Sequence, residues 1–585
     1  MIKIFKNFTK KESLLTLMSV LLIVVQVWLD LKLPDYMSEI TLLVQTQGSN
    51  LSDIYRAGGM MLLCAFGSLI TAVLVAITAA RISTNFGANL RRNLFTKVLD
   101  FSLEEISLFS TSSLITRSTN DITQIQMLII MGLQAIVKAP ILAFMAISKI
   151  TGKSWQWSLV TAIAVVVLLV VVLGILALAM PKFKLLQKLT DRLTHVTREN
   201  LIGLRVVRAY NAEDYQEDRF EVVNTDLTNT QLFTTRTMAF MMPFIQLVMS
   251  GLSLAIYWVG AIVINEAGLF DRLPLFSDMI VFSSYAMQIV MAFMMLVMIF
   301  LIVPRASVSA KRILEVLDTK PTITDGDISE SVLDSAGSIE FKNVSFKYPD
   351  AQNYVLQDIN FVANPGETVA FIGATGSGKT TLVNLIPRFF DATKGEVLLN
   401  GINVKDYSQE NLHDQIGYAS QKASLFEGTI KSNVLYGQNK QAKTLDSDIV
   451  EALDIAQANE FVESLEDGYD SEVTAGGTNL SGGQKQRISI ARAIARQADV
   501  LIFDDSFSAL DYRTDRQLRQ ALREERANKT KLIVAQRIGT IKDADRIIVL
   551  DEGRIVGNGR HEELMESCEV YQEIAYSQLS KEELA

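Results

Sequence analysis

Six apolar stretches dominate the first half of the chain, at residues 14–33, 57–80, 127–148, 157–180, 239–264 and 279–303. Each comes close to the roughly 20 residues that a helix needs to cross a bilayer, so six membrane spans are predicted. The segments between them alternate in character. Residues 81–126 and 181–238 are long and carry many bases, among them Arg91, Arg92, Lys97, Lys182, Lys184, Lys188, Arg205 and Arg208, whereas 34–56 and 265–278 are mostly acidic. Lys and Arg concentrate in cytoplasmic loops, which places the long basic segments, both termini and everything after the sixth span on the cytoplasmic side of a cell membrane. Lys149 and Lys153 run against that rule, although Trp155 and Trp157 beside them suit an interface. Residues 91–101 and 183–220 keep helical spacing with few breakers, so the spans should continue into the cytoplasm and turn at 109–117 and 208–213, the expected contacts to a soluble domain.

Past Gly337 the pattern changes. Strand-like and helix-like segments alternate, as in an α/β domain with a mainly parallel sheet. Residues 311–338 are polar, with Pro321, Gly326 and Gly337, and mark the boundary. The expected division is an all-α six-helix membrane domain at 1–320, a linker at 321–338 and an α/β domain at 339–585.

Composition fits that division. A chain of 585 residues is too long for one core, and 49% hydrophobic with only 20% charged residues belongs to a membrane protein with a soluble part. The net charge of −9 leaves no basic excess for a nucleic-acid surface. Cys64 and Cys568 lie far apart and make no disulfide or zinc framework. The basic start MIKIFKNFTKKE leads into a long apolar run with no small-residue cleavage site, which reads as a retained first span. Spans five and six interleave Met238, Met241, Met242, Met249, Met279, Met287, Met291, Met294, Met295 and Met298 with Phe240, Phe244, Phe282, Phe293 and Phe300. Thioethers beside aromatic rings make a surface that repacks around varied apolar ligands, or simply packing and lipid-facing side chains. Asp30 and Lys32, with Gln26, are placed near the outer end of the first span, where charges are either functional or snorkelling to the interface, the second being the expectation here.

The α/β domain carries the candidate chemistry. In FIGATGSGKTT the run from Gly373 to Thr380 follows a strand-like segment, 367–372, and opens into a helix-like one, 382–390. Loop N–H groups and the helix start would cradle phosphates, Lys379 would reach the outer ones, and the Thr380 hydroxyl would bind Mg2+. VLIFDD, ending in Asp504 and Asp505, is an apolar strand that delivers two carboxylates, the first placed for the Mg2+ shell. LSGGQKQR is a second Gly-rich turn leading into a helix, with Ser481 as an added donor. Two phosphate-binding turns about a hundred residues apart fit a nucleotide sandwiched between two copies of the domain better than one bound within a single chain.

With those motifs in order, nearly the whole chain resembles a half-transporter of the ATP-binding cassette exporter family. The resemblance implies ATP as ligand, Mg2+ held by Thr380, Asp504 and Gln421, and adenine stacking on Tyr348. It matches Gly373, Ala374, Thr375, Gly376, Ser377, Gly378, Lys379, Thr380 and Thr381 to the Walker A loop. Gln421 matches the Q-loop glutamine, Ser481, Gly482, Gly483 and Gln484 the signature, and 500–504 Walker B. The coupling helices resemble 109–117 and 204–213. Two positions depart from the family: Asp505 stands where a catalytic glutamate is usual, and Gln536 where the switch histidine is usual. Asp is a methylene shorter than Glu, and Gln cannot become a cation near neutral pH. The signature is intact, although the segment VTAGGTN before it has no acidic residue near Ala475, where the family often has one. The pattern resembles the degenerate-site halves of bacterial heterodimeric multidrug exporters: own site weak, signature lent to a partner half that keeps its glutamate and histidine. Hydrophobic or amphiphilic compounds, often cationic drugs or dyes, are the expected cargo, moved through a cavity in contact with membrane lipid. A lipid or peptide exporter half, or a regulatory subunit that only holds ATP, is the alternative.

Overall fold

The computed structural model describes residues 2–46, 49–151, 153–268, 270–329, 337–349, 351–437 and 446–578. They form two compact units, Met1–Lys97 with Ser112–Asp318, and Val98–Thr111 with Thr319–Ala585.

Among the described residues, six helical runs are long and apolar enough to cross a membrane: Lys10–Gln45, Leu51–Leu99, Thr111–Ile150, Trp155–Ala209, Glu213–Glu266 and Arg272–Asp318. The first is started by a capping box, in which the Thr9 hydroxyl accepts from Glu12 N while Thr9 N donates to the Glu12 carboxylate. Ile23, Val27 and Leu31 on one stripe are buried, yet Leu14, Leu17, Leu21 and Trp28 on the others are exposed and equally apolar. A helix that is hydrophobic all round suits lipid on its outer faces.

The core of this unit gathers Trp157, Leu168, Phe282 and Tyr285, with the Trp157 and Phe282 rings 5.5 Å apart. Met279 is part of it: a Cβ on Gly260 would lie 2.3 Å from the Met279 sulfur, so that glycine makes room for the thioether. Met279 and Phe282 are therefore packing residues, whereas Met242, Met291 and Phe240 are exposed. The side chains of Met298 and Phe300 lie outside the described residues.

Lys149 donates to Asp35 at 2.6 Å and Lys153 to Asp278 at 2.5 Å. The third span is wound in π form over Arg117–Asp121 and Leu133–Lys138. The second of these has a local cause. Pro140 cannot donate to the Ile136 carbonyl, and the wider turn lets Ala139 N–H reach Gln134 O instead.

The first cytoplasmic turn differs from expectation. A short helix, Leu103–Leu108, precedes the expected contact at 109–117 and is capped by Ser102 and Glu105. It belongs to the second unit, where Thr322 N donates to Glu105 Oε1 at 2.9 Å. Of 109–117, residues 112–117 group instead with the membrane unit. The other segment expected from the resemblance, 204–213, contains the short helix Leu204–Ala209, which only overlaps the turn expected at 208–213 and is set off by Gly203 and by Asn211 in the left-handed region at φ 49°.

The second unit is built on a six-stranded sheet in the order Arg554–Gly559, Arg546–Asp551, Thr368–Gly373, Thr530–Val534, Val500–Asp504, Ile416–Ala419. Neighbouring strands are parallel except for the outer hairpin of the first two. A four-stranded antiparallel sheet, Leu356–Ala363, Ile339–Phe346, Lys394–Leu399 and Ile402–Asn403, accompanies it. Alternation along Thr368–Gly373 splits the core: Val369 and Phe371 pack with the antiparallel sheet, Ala370 and Ile372 with the helices. That strand is buried almost throughout, as expected for a parallel sheet covered on both faces.

Candidate nucleotide site

The ends of the parallel strands bring the predicted residues together, the position where open α/β sheets bind ligands. The strand Thr368–Gly373 runs directly into the loop Ala374–Gly378 and a helix limited to Lys379–Asn384, shorter than the 382–390 segment expected from sequence. Pro387 and the left-handed Arg388, at φ 56°, stop any extension. Gly373 is required by crowding: a Cβ there would lie 2.0 Å from Leu550 O. Gly378 is left-handed at φ 97° and turns the loop into the helix.

Lys379 folds back over the loop and donates to Gly373 O and Ala374 O, each at 2.9 Å. Burial pushes its ammonium below the usual lysine range, opposed by the charges of Asp505 and Asp504. Thr380 Oγ1 donates to Asp504 Oδ1 at 2.8 Å, linking the loop to the end of Val500–Asp504. Asp504 is buried, which raises its carboxyl above the usual range against the hydrogen bonds from Thr380 and Tyr418. Donors, a hydroxyl and a carboxylate thus converge as a nucleotide phosphate and a hard cation would require.

Asp505 stands one residue on, at φ 48°. One of its oxygens, Oδ2, is held twice: Gln536 Nε2 donates to it at 2.8 Å and Gln421 Nε2 at 3.2 Å. Burial raises this carboxyl too, and the two amide bonds offset part of that rise. Thr375, Gly376, Gly378, Lys379, Thr380, Thr381, Gln421, Asp505 and Gln536 line one cavity with Val355 and Val534. Its volume is about 240 Å³, below the roughly 300–1,000 Å³ of pockets that enclose a small molecule.

Other predicted residues do not themselves line the cavity. Tyr348 OH meets Thr381 Oγ1 at 3.0 Å, and its ring packs edge-on against Phe346 and Phe390. Ser481 caps the helix Gly482–Ala495: its hydroxyl accepts from Gln484 N, and Gln484 Oε1 accepts from Ser481 N at 2.9 Å. These four residues, Ser481 to Gln484, are not among those lining the cavity. Two residues further along, Gln486 donates to Ser420 O at 3.1 Å and ties this helix to the segment carrying Gln421.

Tyr418 was not evident from the sequence motifs. Its hydroxyl donates to Asn384 Oδ1 at 2.8 Å and to Asp504 Oδ2 at 3.4 Å. Burial and the Asp504 charge raise its phenol well above the usual range. The signal was its place in the strand Ile416–Ala419, which pairs in parallel with Val500–Asp504.

Comparison with known proteins agrees with this geometry. A family model for the ABC transporter transmembrane region matches residues 16–293, and one for the ABC transporter matches 356–508. The chain is 38% identical over 525 residues to an uncharacterized ABC transporter ATP-binding protein of Mycobacterium tuberculosis, covering 89% of this chain and 87% of the relative. It is 34% identical over 580 residues to the uncharacterized ABC transporter ATP-binding protein YfiB of Bacillus subtilis, covering 98% of both. An ATP-dependent lipid A-core flippase of Pseudomonas putida is 32% identical over 490 residues, 83% of this chain and 79% of that one. Among solved structures, a bacterial Atm1-family ABC exporter with ATP bound superposes with a TM-score of 0.80 over 97% of this chain and 99% of that one, at 23% identity. Six apolar helices followed by a nucleotide-binding α/β domain, matched in that order, mean that the chain belongs to the ABC transporter family, as a multi-pass half-transporter of exporter fold with a cytoplasmic ATPase domain coupled to transport.

Proposed function

We propose that this chain is the slow-hydrolysing half of a heterodimeric ATP-driven exporter of hydrophobic or amphiphilic compounds in the cell membrane. The supporting observation is the carboxylate that follows the Val500–Asp504 strand: it is an aspartate, and both Gln421 and Gln536 hold the same oxygen of it. A general base must reach its water, and a misplacement of about 1 Å can cost on the order of 10²-fold in rate. Neither amide can accept a proton or become a cation. ATP is gripped by the loop Gly373–Thr381, with adenine against Tyr348 and Lys379 exchanging its carbonyl partners for phosphate oxygens. Mg2+ held by Thr380, Asp504 and Gln421 would neutralise phosphate charge.

Ser481, Gly482, Gly483 and Gln484 belong to the partner's nucleotide. The exposure of Ser481 and Gly482, with Gly483 and Gln484 half-buried, and the absence of all four from this chain's own cavity support that role. The partner half supplies the glutamate and histidine that this chain lacks, and both termini of this chain are cytoplasmic. ATP binding closes the paired ATPase domains and opens the outer side; hydrolysis, mainly with the partner's residues, resets them.

A second reading has its own support. Several relatives at 31–33% identity are named ATP-dependent lipid A-core flippases, which favours a lipid as cargo. ATPase measured on this chain alone and copurified with its partner half tests the assembly. Brisk turnover and transport by the chain as a symmetric pair overturn the heterodimer; activity that appears only in the pair supports it.

A further inference from the structure

Lys138 sits at the middle of the apolar stretch 127–148, where a charge is expensive and marks function by default. Its side chain is only 14% exposed, at the end of the π turn Leu133–Lys138. Its contact with Asp30 is long, 3.8 Å from Nζ to Oδ2. Asp30 has another partner, since the Ser68 hydroxyl donates to its other oxygen. Among the described residues the Lys138 ammonium makes no side-chain hydrogen bond, and the long contact with Asp30 is the ion pair it forms.

The neighbouring charges are engaged elsewhere. Lys32 and Lys149 face Asp35, which also accepts from Tyr285, and Lys153 faces Asp278. One turn inward from Asp30 on the same face of the first helix, Gln26 is 6% exposed and its Oε1 has no donor. Across from it, the Tyr285 hydroxyl donates to Leu31 O and sets the sixth span against the first. Gln288, one turn inward from Tyr285 on the sixth span, also has a buried Oε1 without a donor.

We infer that Lys138, with Gln26 one helical turn from its counter-ion Asp30 and Gln288 one turn inward from Tyr285, forms a recognition site for the head of an amphiphile that carries an anionic oxygen, phosphate or carboxylate, next to a hydroxyl or ammonium donor. The ammonium takes the anionic oxygen, the two amide oxygens take the donor, and the apolar body remains among the aliphatic side chains of the bundle. Asp30 tethers the lysine while the site is empty and competes with the ligand. The inference rests on the exporter reading for its cargo and reverses the charge expected of that cargo.

The test uses the full transporter, this chain with its partner, in detergent for binding and in proteoliposomes for ATP-dependent transport. The probes are a lipophilic carboxylate dye and its methyl ester, then a fluorescent phosphatidylglycerol and its headgroup-free diacylglycerol. Lys138→Met should weaken binding of the acidic probes about tenfold or more, the size of a lost charge-assisted bond, and leave the neutral ones unmoved. Asp30→Asn removes the competitor and should tighten acidic-probe binding. The exchanged pair Lys138→Asp with Asp30→Lys keeps an ion pair for folding and should not restore binding. Restoration by the exchange, or equal losses for acid and ester, assigns Lys138 a structural role and overturns the inference. A preference for the lipid or for the dye identifies the source of the anionic head. Binding that depends on Lys138 without transport leaves the site standing and removes the exporter reading; absence of acidic-probe binding in the unaltered protein removes the site.

Discussion

Asp505→Glu together with Gln536→His should accelerate hydrolysis at this chain's own pocket by about 10²-fold. Glu carries its carboxylate about 1.5 Å further than Asp, and a shortfall of ~1 Å costs on the order of 10²-fold. That is roughly 2.7 kcal/mol of barrier at 1.36 kcal/mol per tenfold. The structure also says that the two changes depend on each other. Gln536 Nε2 lies 2.8 Å from Asp505 Oδ2, so a longer side chain at 505 must displace that amide or turn aside. Asp505→Glu alone therefore gives much less than the pair, and Gln536→His alone leaves the carboxylate short. The coupling between the two sites should fall at about 0.5–3 kcal/mol, as for residues in direct contact. Single-turnover hydrolysis in the assembled transporter, with the partner's catalytic glutamate replaced, reads this site alone. A double variant no faster than the starting protein, or two single effects that simply sum, would refute the reasoning.

The remaining expectations concern stability and cargo. Asp505 has a carboxyl raised by burial, so the folded state favours its protonated form, and ionising it as pH rises from the ordinary aspartate range through its raised value costs stability. Asp505→Asn removes that cost: nucleotide-free protein carrying it should melt higher near neutral pH, with the gain shrinking as pH falls below the carboxylate range, and a gain independent of pH would contradict the assignment. Met279→Ala deletes a buried thioether from the membrane core and should lower stability by about 2–5 kcal/mol. Met291→Ala, at a 47% exposed position, should cost no more than about 0.5 kcal/mol yet alter which dyes are transported; an unchanged dye profile with normal ATPase would favour a regulatory subunit.

Where the sequence was legible, the reason is short range. Six apolar runs are set by span length, and the loop Gly373–Thr381 by its own glycines, so both could be read residue by residue. The end of the helix at Asn384 was harder, because amphipathic spacing continues past it and only Pro387 and the left-handed Arg388 reveal the stop. The Leu103–Leu108 helix was passed over although Ser102 and Glu105 have capping-box spacing. Pairings between distant segments left no local trace. Nothing near Asp30 announces Lys138, 108 positions away, and nothing near Asp505 says that both Gln421 and Gln536 will meet one oxygen. Met279 was ambiguous for a different reason: a thioether that fills space above Gly260 has the same composition signal as one that receives a ligand.

The stretch expected to be a polar linker is, over 319–329, sewn to the ATPase unit. Gly326 N donates to Tyr407 O, Ile328 N to Asp406 O, and Ser408 N to Ile328 O. The nearly buried Arg388 adds a clasp, donating to Thr324 O at 2.8 Å and to Lys405 O at 3.2 Å. Trimming a soluble fragment at Ile339, where the first strand starts, would strip a guanidinium of one of its acceptors and uncover the Tyr407 edge. A fragment begun at Thr319 retains the strap, although Thr322 would still lack the Glu105 carboxylate that meets it from far upstream. Any isolated cassette prepared from this chain thus inherits a frayed margin, and its melting behaviour will understate that of the same fold in the intact polypeptide.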